Sequence, residues 1–433
     1  MRYWIETLGC PKNQVDSDKL AGLLVTQGYQ VAESAEEADL VVANTCAFIE
    51  AAREESIETV LELAERKLSG ARLVVTGCMA ERYGDELAAA LPEVDLVAGF
   101  GESFSELVTT PVTLRRRSTP AFDLLNLPRP ATSTPWAYVK IAEGCDRRCG
   151  FCAIPSFRGD QRSRSTEEIL LEARALAMGG VKELVLIAQD LASWGHDRRR
   201  AGRGEAVEVL DEGGTQPLIE LTRVLSQEIE RVRLLYLYPS GLTSGLIETI
   251  LASGVPYFDL SLQHASRRML RAMRRWGSGE RFLERIAVIR AAEAAATFRS
   301  SFILGYPGET EDDQRELLEF IEAAQLDWAG FFTFSSEEGT LADGLGDQVP
   351  AELALERLRE VSELQDAITA RRRDELVGTR QRLLIDSPGV GRSVRECPEI
   401  DGIVMVAPSL AVGEFVDVTI VASHGTDLEA VLV

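Results

Sequence analysis

Gly144-Cys145-Asp146-Arg147-Arg148-Cys149-Gly150-Phe151-Cys152 places three of the chain's seven cysteines within eight residues, in the spacing C-x3-C-x2-C. Thiolates this close in sequence hold metal, with zinc and iron–sulfur clusters as the usual occupants. A structural zinc site closes with four protein ligands, whereas a site that works on a substrate keeps a position open. No fourth ligand follows here, since the only histidines are His196, His264 and His424. On a cubane cluster, three thiolates would hold three irons and leave the fourth for a substrate or cofactor. The competing reading is three buried free cysteines, because Cys is among the most buried residue types. Asp146, Arg147 and Arg148 argue against it, since charged side chains are rarely buried unpaired.

Working outward, strand and helix patterns alternate six times from residue 137. The strand-like runs are Ala137–Glu143, Glu183–Gln189, Val232–Tyr238, Tyr257–Gln263, Phe298–Leu304 and Gly330–Ser335. Helical patterns follow at Thr166–Met178, Pro217–Arg231, Ser244–Ala252, Glu280–Ala295, Glu311–Ala324 and Ala351–Glu375. Six β/α units predict an α/β fold with a parallel sheet curved into a partial barrel, its active face at the strand C-termini. The cysteine stretch follows the first strand at that face. Gln189 and Asp190 end the second strand, and Ser261, Gln263 and His264 the fourth; each either lines the pocket or caps the next helix. Gly305-Tyr306-Pro307-Gly308-Glu309-Thr310 after the fifth strand is a turn whose glycines permit close backbone approach.

Before the barrel, three apolar runs each end in cysteine: Tyr3 to Cys10, Leu40 to Cys46 and Leu73 to Cys78. Helical patterns at Ser17–Gln27, Ala51–Ser69 and Glu81–Ala90 complete a β-α-β-α-β order, hence a parallel sheet. Ligands sit at the carboxyl ends of such strands. Cys10, Cys46 and Cys78, 36 and 32 residues apart, should therefore gather at one edge as a second trio. An iron–sulfur cluster suits them, and zinc does if an outside ligand closes the site.

Pro111, Pro120, Pro128, Pro130 and Pro135, with Arg115-Arg116-Arg117, mark a linker. Asp197–Gln216 is polar and Gly-rich and reads as an exposed insertion. The C-terminal runs Thr379–Asp386, Gly402–Met405 and Phe415–Ala422 predict a small β-barrel, with Cys397 structural. The domains are thus 1–110, 131–375 and 376–433, with residues 111–130 as linker. Net charge is −23, from 46 basic and 69 acidic residues. The C-terminal barrel has four arginines against eight carboxylates, the wrong sign for gripping RNA. No apolar run nears the ~18 residues that span a membrane. Met1-Arg2-Tyr3-Trp4-Ile5-Glu6 is no signal peptide, so the expected compartment is the cytoplasm, where thiols stay reduced.

C-x3-C-x2-C resembles the signature of radical S-adenosylmethionine (SAM) enzymes, and the whole chain resembles their methylthiotransferases. Thr7-Leu8-Gly9-Cys10-Pro11-Lys12-Asn13, Asn44-Thr45-Cys46-Ala47-Phe48-Ile49, and Cys152-Ala153-Ile154-Pro155 with Arg158-Gly159 are similar to the RimO branch. Leu262-Gln263-His264 and Gly305-Tyr306-Pro307-Gly308-Glu309 are as well. The resemblance implies an N-terminal cluster domain, a radical SAM barrel and a C-terminal TRAM domain. It implies two 4Fe-4S clusters: Cys145, Cys149 and Cys152 would hold the one that binds and cleaves SAM. Cys10, Cys46 and Cys78 would hold the auxiliary one that carries the transferred sulfur. Gln189, Ser261 and Gln263 are candidates for the SAM pocket, and no catalytic residue is expected beyond the cluster ligands. The implied reaction is methylthiolation of an aspartate β-carbon in the twelfth small-subunit ribosomal protein, free or in the subunit. A sulfur donor and a one-electron reductant are implied partners. The sister MiaB branch modifies a transfer RNA adenosine, and the acidity favours a basic protein over RNA.

Overall fold

The structure is a computed structural model that describes residues 1–99, 125–200 and 214–433. The N-terminal part is a sheet of β1 (Arg2–Thr7), β2 (Gln30–Val31), β3 (Leu40–Thr45), β4 (Arg72–Gly77) and β5 (Leu96–Val97), ordered β2-β1-β3-β4-β5. Every pairing is parallel. All six residues of β3 are buried, which is why that strand reads as an unbroken apolar run rather than an alternating one. Two short strands escape the sequence reading, because two residues carry no periodicity. The first helix spans Pro11–Thr26, not Ser17–Gln27: Pro11 fits a first helical position, where its missing N–H costs nothing.

Six parallel strands follow: β6 (Trp136–Lys140), then, after the short β7 (Ala142–Glu143) and β8 (Arg162–Ser163), β9 (Glu183–Ile187), β10 (Arg231–Leu234), β11 (Tyr257–Gln263), β12 (Thr297–Leu304) and β13 (Trp328–Thr333). They form two three-stranded sheets, β10-β9-β6 and β11-β12-β13, joined by a parallel bridge between Leu237 and Leu260. The spatial order is therefore the sequence order, as a partial (β/α)6 barrel requires. Its core carries Val139, Leu186, Leu234, Phe258 and Phe302 with the inner faces of the helices. The helices at Thr166–Met178 and Glu311–Ala324 both begin with a capping box, Ser165 with Glu168 and Thr310 with Asp313, each satisfying two otherwise orphaned N–H groups.

The last part is a closed barrel of β14 (Arg380–Ser387), β15 (Val390–Arg392), β16 (Val404–Met405), β17 (Phe415–His424) and β18 (Asp427–Leu432), around Leu383, Ile385, Val418, Ile420 and Leu428. Closure removes the open edges of the sheet. Glu183, fully buried, lies 2.7 Å from Arg233 and 3.2 Å from Arg392, and those guanidiniums hold its pKa down at about 2 against the cost of burial. One of the four barrel arginines, Arg392, thus serves the interface, as do the buried carboxylates of Glu396 and Asp401. Cys397 is buried beside Tyr138, Tyr257 and Trp328, as a structural cysteine should be.

The expected linker lies largely outside the described residues, Arg115, Arg116 and Arg117 among them. Its far end is docked: Arg129 donates to the Tyr138 carbonyl at 2.7 Å. The proposed insertion is shorter than Asp197–Gln216. Asp197 accepts the Ser163 N–H at 2.8 Å, and the buried Thr215 hydroxyl meets that of Thr243 at 2.6 Å. Residues 201–213 lie outside the description. No helix among the described residues is long and apolar enough to cross a membrane.

Candidate functional site

All three N-terminal cysteines stand at the carboxyl edge of their sheet. Cys10 is the N-cap of the first helix, Cys46 directly follows β3, and Cys78 opens the helix Cys78–Ala90. Gly9, at φ +92°, makes the convergence possible: a Cβ there would lie 2.7 Å from Cys46 Cβ and 2.8 Å from its sulfur. Asn13 ties the edge together, donating to the carbonyls of Leu8 at 2.8 Å and Thr45 at 3.1 Å. Asn44 donates in turn to the Asn13 carbonyl at 2.8 Å. Burial pushes the Cys46 thiol up to about 12, helped by Cys78 and Cys10 nearby, and raises that of Cys78.

The second trio occupies the loop inside the β7–β8 ladder. Cys145 N–H bonds the Gly159 carbonyl at 3.0 Å. Gly144 at φ +78° lets the two arms approach, since its Cβ would fall 2.2 Å from the Asp160 oxygen. Gly150 is pinned to Met273 and Ala342 by backbone bonds of 2.8 Å each. Burial raises the Cys145 thiol and pushes that of Cys152 to about 12. Phe151 packs against Met269, Met273 and Tyr306.

Each trio has one guanidinium against one of its sulfurs. Arg158 Nη2 is 2.9 Å from Cys78 Sγ, and Arg275 Nη1 is 3.2 Å from Cys149 Sγ. Among the described residues, no three His, Cys, Asp or Glu side chains are gathered tightly enough for a single metal ion. A cluster with one thiolate on each of three irons needs ligands spread wider than that. All-sulfur donors suit iron–sulfur chemistry, and cationic donors to the sulfurs offset the charge that thiolates bring into a buried place. The residues fit such a group at both trios.

Buried charges seat the N-terminal sheet on the barrel. Lys140 Nζ is 2.8 Å from Asp16, and Arg158 Nη1 is 3.0 Å from Asp16 and 3.1 Å from both Glu143 oxygens. Nearer the rim, Glu337 binds Arg53 and Arg82, each at 2.6 Å. The stretch after β10 runs between the two trios. Tyr238 is sandwiched by Arg147 at 3.9 Å and Arg275 at 4.3 Å, while Tyr236 lies 2.9 Å beneath the Lys12 ammonium. Burial lowers the Lys12 pKa to about 8.

The other candidates are half-buried or buried at strand exits. Gln189 donates to Glu143 at 2.7 Å, the Ser261 carbonyl accepts from Arg275, and Gln263 takes a left-handed φ of +73°. His264 is fully buried: its Nδ1 accepts the N–H groups of Ala265 at 2.9 Å and Ser266 at 3.0 Å. Burial lowers its pKa to about 4, so it is a neutral structural histidine. The Gly305–Glu309 turn closes on itself, Glu309 accepting the Gly305 N–H at 2.8 Å. Sequence reading missed Arg275, Lys140, Lys12 and Tyr236 as site residues. Arg275 sits in an Arg-rich run that looks like an ordinary solvated helix, and Lys140 in an apolar strand without a motif.

Three family models match the chain. Residues 2–99 match "Uncharacterized protein family UPF0004", residues 139–321 the radical SAM superfamily and residues 377–433 the TRAM domain. Among curated proteins, the chain is 42% identical to ribosomal protein uS12 methylthiotransferase RimO of Moorella thermoacetica, over 94% of this chain and 93% of that one. It is 40% identical to the protein of that name from Streptomyces coelicolor, over 98% and 95%. Another, from Microcystis aeruginosa, is 41% identical over 98% and 97%. Among solved structures, the radical S-adenosylmethionine methyltransferase TsrM of Kitasatospora setae shares the fold. It matches with TM-score 0.54 and 14% identity, over 95% of this chain and 80% of that one.

Proposed function

Because the chain belongs to the family of the ribosomal protein uS12 methylthiotransferase RimO, we propose that it is an enzyme that adds a methylthio group to the β-carbon of an aspartate in uS12. Cys145, Cys149 and Cys152 would hold one 4Fe-4S cluster, and Cys10, Cys46 and Cys78 the other. When bound, with SAM, these groups supply a radical able to take an unactivated hydrogen, and the sulfur to be transferred. A sulfur donor and a one-electron reductant complete the reaction, and the cytoplasm is its place. The division into residues 1–110, 131–375 and 376–433 is part of the same proposal, as are Gln189, Ser261 and Gln263 as neighbours of SAM.

The observation that supports this reading is a pair of thiol trios, each with a guanidinium on one sulfur, one of them tied into the buried charge group of Asp16, Glu143 and Lys140. Arg158 belongs to both sides: it follows the Cys145–Cys152 loop in sequence, yet its guanidinium lies on Cys78. The chain's part in the chemistry is to hold both thiol sets at a fixed separation and to receive the target side chain between them. Loading iron must displace thiol protons, a cost that Arg158 reduces at Cys78. With net charge −23, the surface draws a basic protein and repels nucleic acid phosphates.

The deciding assay supplies reduced, iron-loaded protein and SAM to uS12 and to transfer RNA separately. Added methylthio mass is expected on uS12; modification of transfer RNA alone would sink the proposal. Cys149→Ala should abolish SAM cleavage, whereas Cys46→Ala should retain cleavage but lose sulfur transfer.

A further inference from the structure

Lys12 is a cation in two unfavourable places at once. It is the second residue of the helix Pro11–Thr26, where the helix dipole disfavours positive charge. It is also half-buried, with its ammonium over the face of Tyr236. Among the described residues no carboxylate, hydroxyl or carbonyl holds its ammonium. Its cationic neighbours are all engaged. Arg147 is bound to Asp190, Arg158 and Lys140 to Asp16 and Glu143, and Arg299 to Asp259 and Asp401. Arg275 is held by Cys149 and the Ser261 carbonyl. Asp259 and Cys10 favour its charge only through space, and an anion bonded directly to Lys12 would relieve both costs.

Its support is held at a cost as well. Tyr236 adopts φ +62°, a region that bulky residues occupy only where the surroundings impose it. Here the Asp259 carboxylate imposes it by accepting the Tyr236 N–H at 2.9 Å, and the Leu237–Leu260 bridge locks the next residue. Tyr238, two residues on, faces Arg275 and through it Cys149. Two residues span at most about 7 Å of backbone. The ridge Tyr236–Tyr238 therefore joins the edge of one trio, through Lys12 beside Cys10, to the edge of the other.

We propose that Lys12, carried over Tyr236 on this ridge, receives the side-chain carboxylate of the substrate aspartate. The inference rests on the reading under Proposed function and names how that site recognises its substrate. The carboxyl carbon is bonded directly to the β-carbon, so anchoring it fixes the reacting C–H within about 1.5 Å. A carboxylate anchor also selects Asp over Asn, which a shape-based pocket would hardly distinguish. Lys12 is a binding and specificity residue here; it takes no part in bond making.

The test is equilibrium binding of uS12 to the full-length iron-loaded protein, without SAM or reductant. Two forms are compared, one with the target aspartate intact and one with asparagine in its place. The unaltered enzyme should bind the aspartate form at least about tenfold more tightly, the low end for a charge-assisted hydrogen bond. In Lys12→Met and Lys12→Gln the two forms should bind alike within about twofold, and Lys12→Arg should keep the preference. The ratio of the two constants on one preparation does not depend on how much of a variant is folded or loaded. A preference that survives Lys12→Met overturns the proposal. So does an unaltered enzyme that binds both forms equally, which leaves the methylthiotransferase reading standing. Binding of neither form, with modification of transfer RNA, would instead overturn that reading.

Discussion

Replacing Arg158 by methionine tests whether the buried charges between the sheet and the barrel work as one balanced group. The group contains Asp16, Glu143, Lys140 and Arg158, two of each sign, with Arg158 only 3% exposed and Lys140 fully buried. Methionine fills much of the volume but leaves one negative charge uncompensated in a place from which water is excluded. Breaking a buried pair in this way costs about 3–5 kcal/mol, whereas removing both partners can be nearly neutral. The loss should fall on the seating of the N-terminal sheet, because Asp16, Asn13 and Cys78 lie on one side and Glu143, Lys140 and Arg158 on the other. Hydrogen exchange in the helix Pro11–Thr26, followed at matched iron content, reads the local opening energy. Exchange there should accelerate by about two to four orders of magnitude. Arg158→Met combined with Glu143→Gln restores the balance and should recover most of the protection, giving a large coupling in the double-mutant cycle. Acceleration below about fivefold, or a double variant no better than the sum of the two singles, would refute the account.

Arg275→Leu removes a cationic donor from Cys149, so the cluster proposed for that trio should become harder to reduce. A shift of roughly −50 mV is expected if the bond is worth about 1 kcal/mol, read by potentiometric titration with electron paramagnetic resonance; an unmoved potential rules out this role. His264 has a folded pKa of about 4 against 6.5 unfolded. Its contribution is fully present above pH 6.5 and lost as pH falls toward 4, up to about 3 kcal/mol. Asp401, raised to about 6 by burial, works in the opposite direction, so the difference between the parent and His264→Asn is the quantity to follow. Urea midpoints between pH 7 and 5 should fall more steeply in the parent, and parallel curves would contradict the buried neutral imidazole. Binding of uS12 should weaken steadily as salt rises from about 50 to 300 mM, since opposite net charges are screened over a Debye length; salt-independent binding would remove electrostatics from the recognition.

Much of this protein is legible in its sequence because the determining signals are local. Parallel strands buried on both faces give continuous Val-rich runs, so Leu40–Thr45 and Arg72–Gly77 stand out. Thiol trios are visible because three cysteines follow three strands and three more share one loop. Strands of two or three residues, such as Gln30–Val31 and Val390–Arg392, carry too little pattern to be seen.

Returning to Cys145–Cys152, sequence alone pointed to metal with an open position there, and to a second thiol trio at one sheet edge. Tertiary structure decided which charges serve them. Arg158 reaches a cysteine 80 residues away in sequence, and Arg275 one 126 residues away. Lys12 meets Tyr236 only because the sheet docks on the barrel mouth. Spacing rules operate within a few residues, whereas pairing of charges across an interface depends on how two separately folded surfaces meet. The sequence reading therefore had no means to tell an arginine on a sulfur from an arginine in water.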